Sequence, residues 1–116
     1  MQKNANQIHI KSRGDVTVLD IRGDITAFSE SSLEEAYQQA NARGAVKIVL
    51  QIEKEAYINS GGIAVLIQIL THTHRSGQRV AISGISEHFK KIFKMVGITK
   101  FAEIYDSHEA AIQTLG

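Results

Sequence analysis

The sequence predicts an α/β fold: an N-terminal hairpin followed by alternating strands and helices, forming a mixed, mostly parallel sheet with packed helices. Three observations lead there. Two short alternating apolar segments flank Gly14-Asp15. Stretches of helical period then alternate with short runs rich in valine and isoleucine. Serine or glycine punctuates most boundaries, in a chain without proline. At 116 residues the chain suits one domain around one hydrophobic core, so residues 1–116 are read as a single unit without linker or repeat.

"QIHIKSRG" and "DVTVLDIRG" read as the hairpin, with Ile8 and Ile10, then Val16, Val18 and Asp20, on alternate faces. Arg-Gly-Asp supplies a polar reversal between them. Next, Ser31 with Glu34 and Ser32 with Glu35 both match the capping box. Leu33, Ala36, Tyr37 and Ala40 follow at helical spacing, and Gly44 closes the helix. "AVKIVLQIE" predicts a buried strand holding Val46, Ile48, Val49, Leu50 and Ile52. "IAVLIQILTHTHRSG" predicts a helix whose packed set is Ile63, Leu66, Ile67 and Leu70, ended by Gly77. "QRVAISGI" is a short strand. Phe89, Ile92, Phe93 and Val96 then mark a helix between a Ser86 cap and a Gly97 stop. "ITKFAEIY" is read as the last strand and "SHEAAIQTLG" as the last helix, capped by Ser107.

Composition narrows the function. An apolar fraction of 43% and a charged fraction of 22% are ordinary for a soluble domain. A net charge of +1 gives no bulk support for a nucleic-acid partner or an anionic membrane. The absence of cysteine excludes disulfides, cysteine-ligated zinc and thiol catalysis. "MQKNANQ" has no apolar core, so no secretory leader is expected. The apolar run from Ile63 to Leu70 is broken by Gln68 and is too short to span a bilayer. A cytoplasmic protein without membrane insertion is expected.

Enzyme templates do not match: no phosphate-binding loop, dinucleotide fingerprint or nucleophile elbow is present. Asp15, Asp20 and Asp24 are read as solvated turn residues with no nucleophile nearby. His72 and His74 diverge on a helix and suit its solvated end, so no metal or cofactor is expected. Lys90, Lys91, Lys94 and Lys100 read as a solvated face opposite Phe89, Ile92 and Phe93. Phe28 suits either an exposed contact or a hydrophobic staple on the first helix.

The stretch "YINSGG", Tyr57 to Gly62, draws most attention, because ligands and partners of such sheets gather at the carboxyl ends of the strands. With a helix starting near Gly61, Ser60 is read as its N-cap. One reading is purely structural, a serine cap with glycines easing the turn. The other is a phosphoacceptor, since a helix N-terminus tolerates an anion.

Nearly the whole chain resembles the STAS domain, in particular the free-standing bacterial anti-sigma factor antagonists. The resemblance is carried by "GDIT", "VKIVLQI", "YINSGGIAVLI", "GQRVAISGIS" and "HFKKIFKMVGITK" leading to "FAEIYDSHEAAIQTL". It implies a STAS-like single domain with Ser60 as phosphoacceptor and Asn59, Gly61 and Gly62 completing the motif. Tyr57, Thr26 and Phe28 would join them on the contact surface. It further implies a non-enzymatic switch that binds an anti-sigma factor serine kinase when unphosphorylated and is reset by a PP2C-type phosphatase. Thr26 and Asn59 stand where the family often has aspartate, and Asn59 lacks a carboxylate's charge. That departure keeps open a phosphorylation-independent scaffold or a component of a transport complex. A small-ligand module would instead require a pocket at the strand ends.

Overall fold

The alternating segments pair as expected. In the computed structural model, which describes residues 6–116, β1 (Gln7–Arg13) and β2 (Val16–Arg22) form an antiparallel hairpin. The segment read as lacking a secretory leader lies, for residues 1–5, outside the described residues. β3 (Lys47–Ile52), β4 (Arg79–Ser83) and β5 (Glu103–Tyr105) add in parallel, giving one sheet of order β1-β2-β3-β4-β5. The helices are α1 (Glu30–Ala42), α2 (Ser60–Arg75), α3 (Glu87–Met95) and α4 (His108–Leu115).

Strand side chains alternate between two faces, and each face has its own core. Leu19, Ile21, Ile48, Leu50, Ile52, Val80 and Ile82 pack under α1, α2 and α3. Val16, Val18, Val49 and Ala81 pack under α4 alone, through Ala111, Ile112 and Leu115. Because β2, β3 and β4 run parallel, the loops that follow them emerge at the same end of the sheet. This places the segment after β2 beside the segment after β3.

Several boundaries differ from the sequence reading. α1 starts at Glu30, not behind Ser31 or Ser32. A 3-10 turn at Ala27–Ser29 precedes it, and there Thr26 and Ser29 form the capping box. Val46 is 59% exposed rather than buried, because the strand begins one residue later. The packed face of α2 is Gly62, Val65, Leu66, Ile69, Leu70 and Thr73, with Ile63 and Ile67 only half-buried. A helix that is apolar nearly all round does not reveal its inner face by period alone. Val96 is exposed just past α3. Of "ITKFAEIY", Ile98–Lys100 is a 3-10 turn and only Glu103–Tyr105 is strand. Ser86 and Ser107 cap α3 and α4 as expected.

Candidate functional site

Two backbone segments are laced together at the carboxyl end of the sheet. Ile25 N–H donates to the Tyr57 carbonyl (2.9 Å), and Asn59 N–H donates to the Ile25 carbonyl (3.2 Å). These bonds make an isolated parallel bridge between Ile25 and Ile58, both buried. Asp24 extends the lacing, its Oδ1 accepting from Tyr57 N–H at 2.9 Å. Glu53 Oε1 accepts from Gly23 N–H at 2.8 Å. From sequence, Asp24 reads as a solvated turn residue. Its carboxylate is exposed, yet it fixes the loop that carries Tyr57.

The start of α2 corrects one expectation. Asn59, not Ser60, is the N-cap: its backbone is extended (φ −91°, ψ −178°) and its Oδ1 accepts from Gly62 N–H at 2.9 Å. Its carbonyl accepts from Ile63 N–H at 2.9 Å. Asparagine caps as well as serine, so one residue of sequence could not tell the two apart. Ser60 is therefore the first residue of the helix. Its side chain is exposed and not used for capping.

The glycine pair answers to crowding, not to a turn. A Cβ on Gly62 would lie 2.0 Å from the Ile25 carbonyl oxygen. One on Gly61 would lie 3.0 Å from both N and Cβ of Ala27. The chain segment after β2 crosses directly over the first turn of α2, so that only glycine fits at Gly62 and a Cβ at Gly61 would be tight against Ala27. On that segment, Thr26 Oγ1 accepts from Phe28 N–H (3.1 Å) and Ser29 Oγ accepts from Thr26 N–H (3.0 Å). The double cap holds Phe28 outward with 71% of its surface exposed, so it is not a buried staple.

Tyr57 is also 60% exposed, its ring edge-on to Phe89 at 6.0 Å, and Phe89 in turn meets His88. The corner thus unites Thr26, Phe28, Tyr57, Asn59, Ser60, Gly61 and Gly62 from two loops and a helix start. Asp24, read from sequence as a solvated turn residue, and Phe89, read as part of a helix's apolar face, join it. Only the parallel neighbourhood of β2 and β3 brings Asp24 there, and no local pattern encodes that.

Elsewhere, His72 and His74 address different neighbours. His72 is half-buried edge-on to Tyr37, and His74 is exposed against Phe101. Lys90 pairs with Glu87 and Asp106. Asp20, expected in solvent, is buried on the α4 face of the sheet. Burial pushes its carboxyl up, but hydrogen bonds from Arg22 and Lys11 outweigh that and hold it below the usual range. A cleft of about 200 Å³ lies beside it, lined by Asp20, Arg22, Gln51, Ile52, Glu53 and His108.

A family model described as the STAS domain matches residues 7–111. The chain belongs to the STAS domain family. Solved structures agree in fold. A putative anti-sigma factor antagonist from Thermotoga maritima superposes with a TM-score of 0.79 at 19% identity, covering 93% of each chain. An anti-sigma factor antagonist from Mycobacterium paratuberculosis gives 0.78 at 16%, covering 95% of this chain and 93% of the other. The phosphorylated form of the Bacillus cell fate determinant SpoIIAA gives 0.64 at 16%, covering 94% and 98%. No helix among the described residues of this STAS domain is long and apolar enough to cross a membrane.

Proposed function

We propose that this STAS domain is an anti-sigma factor antagonist, a non-enzymatic cytoplasmic switch in transcription control. Its unphosphorylated Ser60 corner docks on an anti-sigma factor serine kinase. The observation that carries the reading is the exposed Ser60 hydroxyl at the first position of α2, its neighbour Asn59 having taken over the cap. A side chain with no structural duty, flanked by exposed Tyr57 and Phe28, is free to enter another protein's active site. Aromatic side chains of this kind are favoured anchors at protein interfaces.

Transfer of the γ-phosphoryl group of ATP to Ser60 Oγ releases ADP, and the hydroxyl proton passes to the kinase. The product adds roughly −1.5 to −2 charges at one surface point. The α2 N-terminus tolerates that charge, whereas a docked partner shaped around a neutral hydroxyl does not. Asp24, close by on the same corner, adds like charge. Hydrolysis by a PP2C-type phosphatase restores the docking form. Asn59, Gly61, Gly62 and Thr26 hold the backbone in place beneath the contact surface.

A second reading, a phosphorylation-independent scaffold or transport-complex component, is favoured by one observation. The side chains of Asn59 and Thr26, which stand at acidic positions of the motif, are occupied as helix caps and offer no charge to a kinase. Incubating the chain with a serine kinase of the anti-sigma factor type from the same genome, with MgATP, separates the two. Intact mass is expected to show one added phosphate on the wild type and none on Ser60→Ala. No gain, or equal gain in both, favours the scaffold.

A further inference from the structure

The α4 face of the sheet carries a polar set that the Ser60 corner does not use. Ser83, at the carboxyl end of β4, is wholly buried, and its Oγ lies 2.7 Å from Nδ1 of His108, the first residue of α4. The imidazole sits over Gly84, where a Cβ would come within 2.5 Å of its Cε1. Among the described residues the Ser83 hydroxyl has no other hydrogen-bond partner. Asp20 lies on the same face, bound by Lys11 (3.2 Å) and Arg22 (3.0 Å).

A buried hydroxyl has one hydrogen to donate. With Nδ1 bare, Ser83 donates to it and both groups are satisfied. Once Nδ1 carries a proton, its N–H points at the Ser83 oxygen. The Ser83 hydrogen, on a residue with no exposed surface, is then left without its acceptor, which is the costly case. The charged groups around the ring come from β1, β2, α4 and the loop after β3. Asp20 on β2 and Glu109 on α4 favour the imidazolium, Arg22 on β2 and Lys11 on β1 oppose it, and Glu53 after β3 lines the adjoining cleft. Burial prevails and keeps the ring below its ordinary range. The positive end of the α4 dipole acts in the same direction.

α4 itself depends on its docking. Eight residues are too few for a stable isolated helix, and three buried side chains hold it: Ala111, Ile112 and Leu115. Its ion pair, Arg13 with Glu109, lies in solvent and adds little. We propose that His108 is a pH-sensitive latch, holding α4 on the sheet while its ring is neutral and releasing it on protonation. Release uncovers Val16, Val18, Val49 and Ala81, an apolar face at the far side of the sheet from α1, α2 and α3. This latch is independent of Ser60 phosphorylation.

The sign is set by the released ring binding protons more readily than the docked one. Docking is therefore strongest above the ordinary histidine pKa and weakens as pH falls below it. Amide hydrogen exchange of α4, referenced to β3 amides and corrected for intrinsic chemistry, reads this directly. Between about pH 7.5 and pH 5.5, α4 exchange should accelerate by up to about tenfold per unit of pH below the histidine range, the ceiling for one proton. His108→Gln still accepts from Ser83 but does not titrate, so its α4 exchange should be flat. A wild type without acid response, or an equal response in His108→Gln, overturns the latch. NMR titration of His108 in the wild type provides a second reading: its pKa should lie below the ordinary histidine value, and a value at or above it contradicts the proposal.

Discussion

At Asn59 and Gly62, single atoms decide whether the corner keeps its shape. Asn59→Ala removes the acceptor for Gly62 N–H and should cost about 1 kcal/mol, read by denaturant unfolding. Asn59→Asp keeps the acceptor and adds an anion at the helix start, so stability should hold or rise by about 0.3–1 kcal/mol. A large loss in Asn59→Asp would show that the amide has a further duty. Gly62→Ala forces a methyl into the space of the Ile25 carbonyl and should cost roughly 1–3 kcal/mol, splaying the two loops. Sequence made most of this site legible, because "YINSGG" combines cap formers, a hydroxyl and a glycine pair at one strand end. It did not show that Asn59 displaces Ser60 from the cap, since both residues cap well. Nor did it show that the glycines serve a chain crossing from elsewhere.

The strands and helices were readable wherever amphipathic period or a cap stood clear. The hairpin, the Ser86 and Ser107 caps and the inner face of α1 are examples. They were misread where a tertiary neighbour decides. α2 is apolar on too many sides to announce its inner face, and β5 is only three residues long. Asp20 reads from sequence as a solvated turn residue, yet β2 is covered on both faces and the carboxylate is buried between Lys11 and Arg22. Its carboxyl is held low in the folded chain, so it stabilises the fold above the usual carboxylate range and loses that contribution as pH falls through it. Asp20→Asn should lower stability at neutral pH by about 1–3 kcal/mol and make the acid limb shallower in urea unfolding from neutral to low pH. An unchanged acid limb would mean that the ion pairs contribute nothing net.

Across the whole molecule, the sheet order is what gives the surface its meaning. Parallel β2 and β3 deliver two loops to one end, where the first turn of α2 meets them, and the result is a rigid corner bearing one unused hydroxyl. Because Ser60 is exposed and its backbone is fixed by others, Ser60→Asp should leave thermal stability within about 0.5 kcal/mol of wild type. A partner-binding defect in that variant would then report on the surface alone. The most direct measurement is calorimetric titration of the proposed partner, an anti-sigma factor serine kinase from the same genome, with Ser60→Ala and with homogeneously Ser60-phosphorylated chain. Ser60→Ala should bind, and the phosphorylated chain should bind at least about tenfold more weakly, a difference of about 1.4 kcal/mol. Equal affinities, or no binding by either, would contradict the assignment of this corner as the switch.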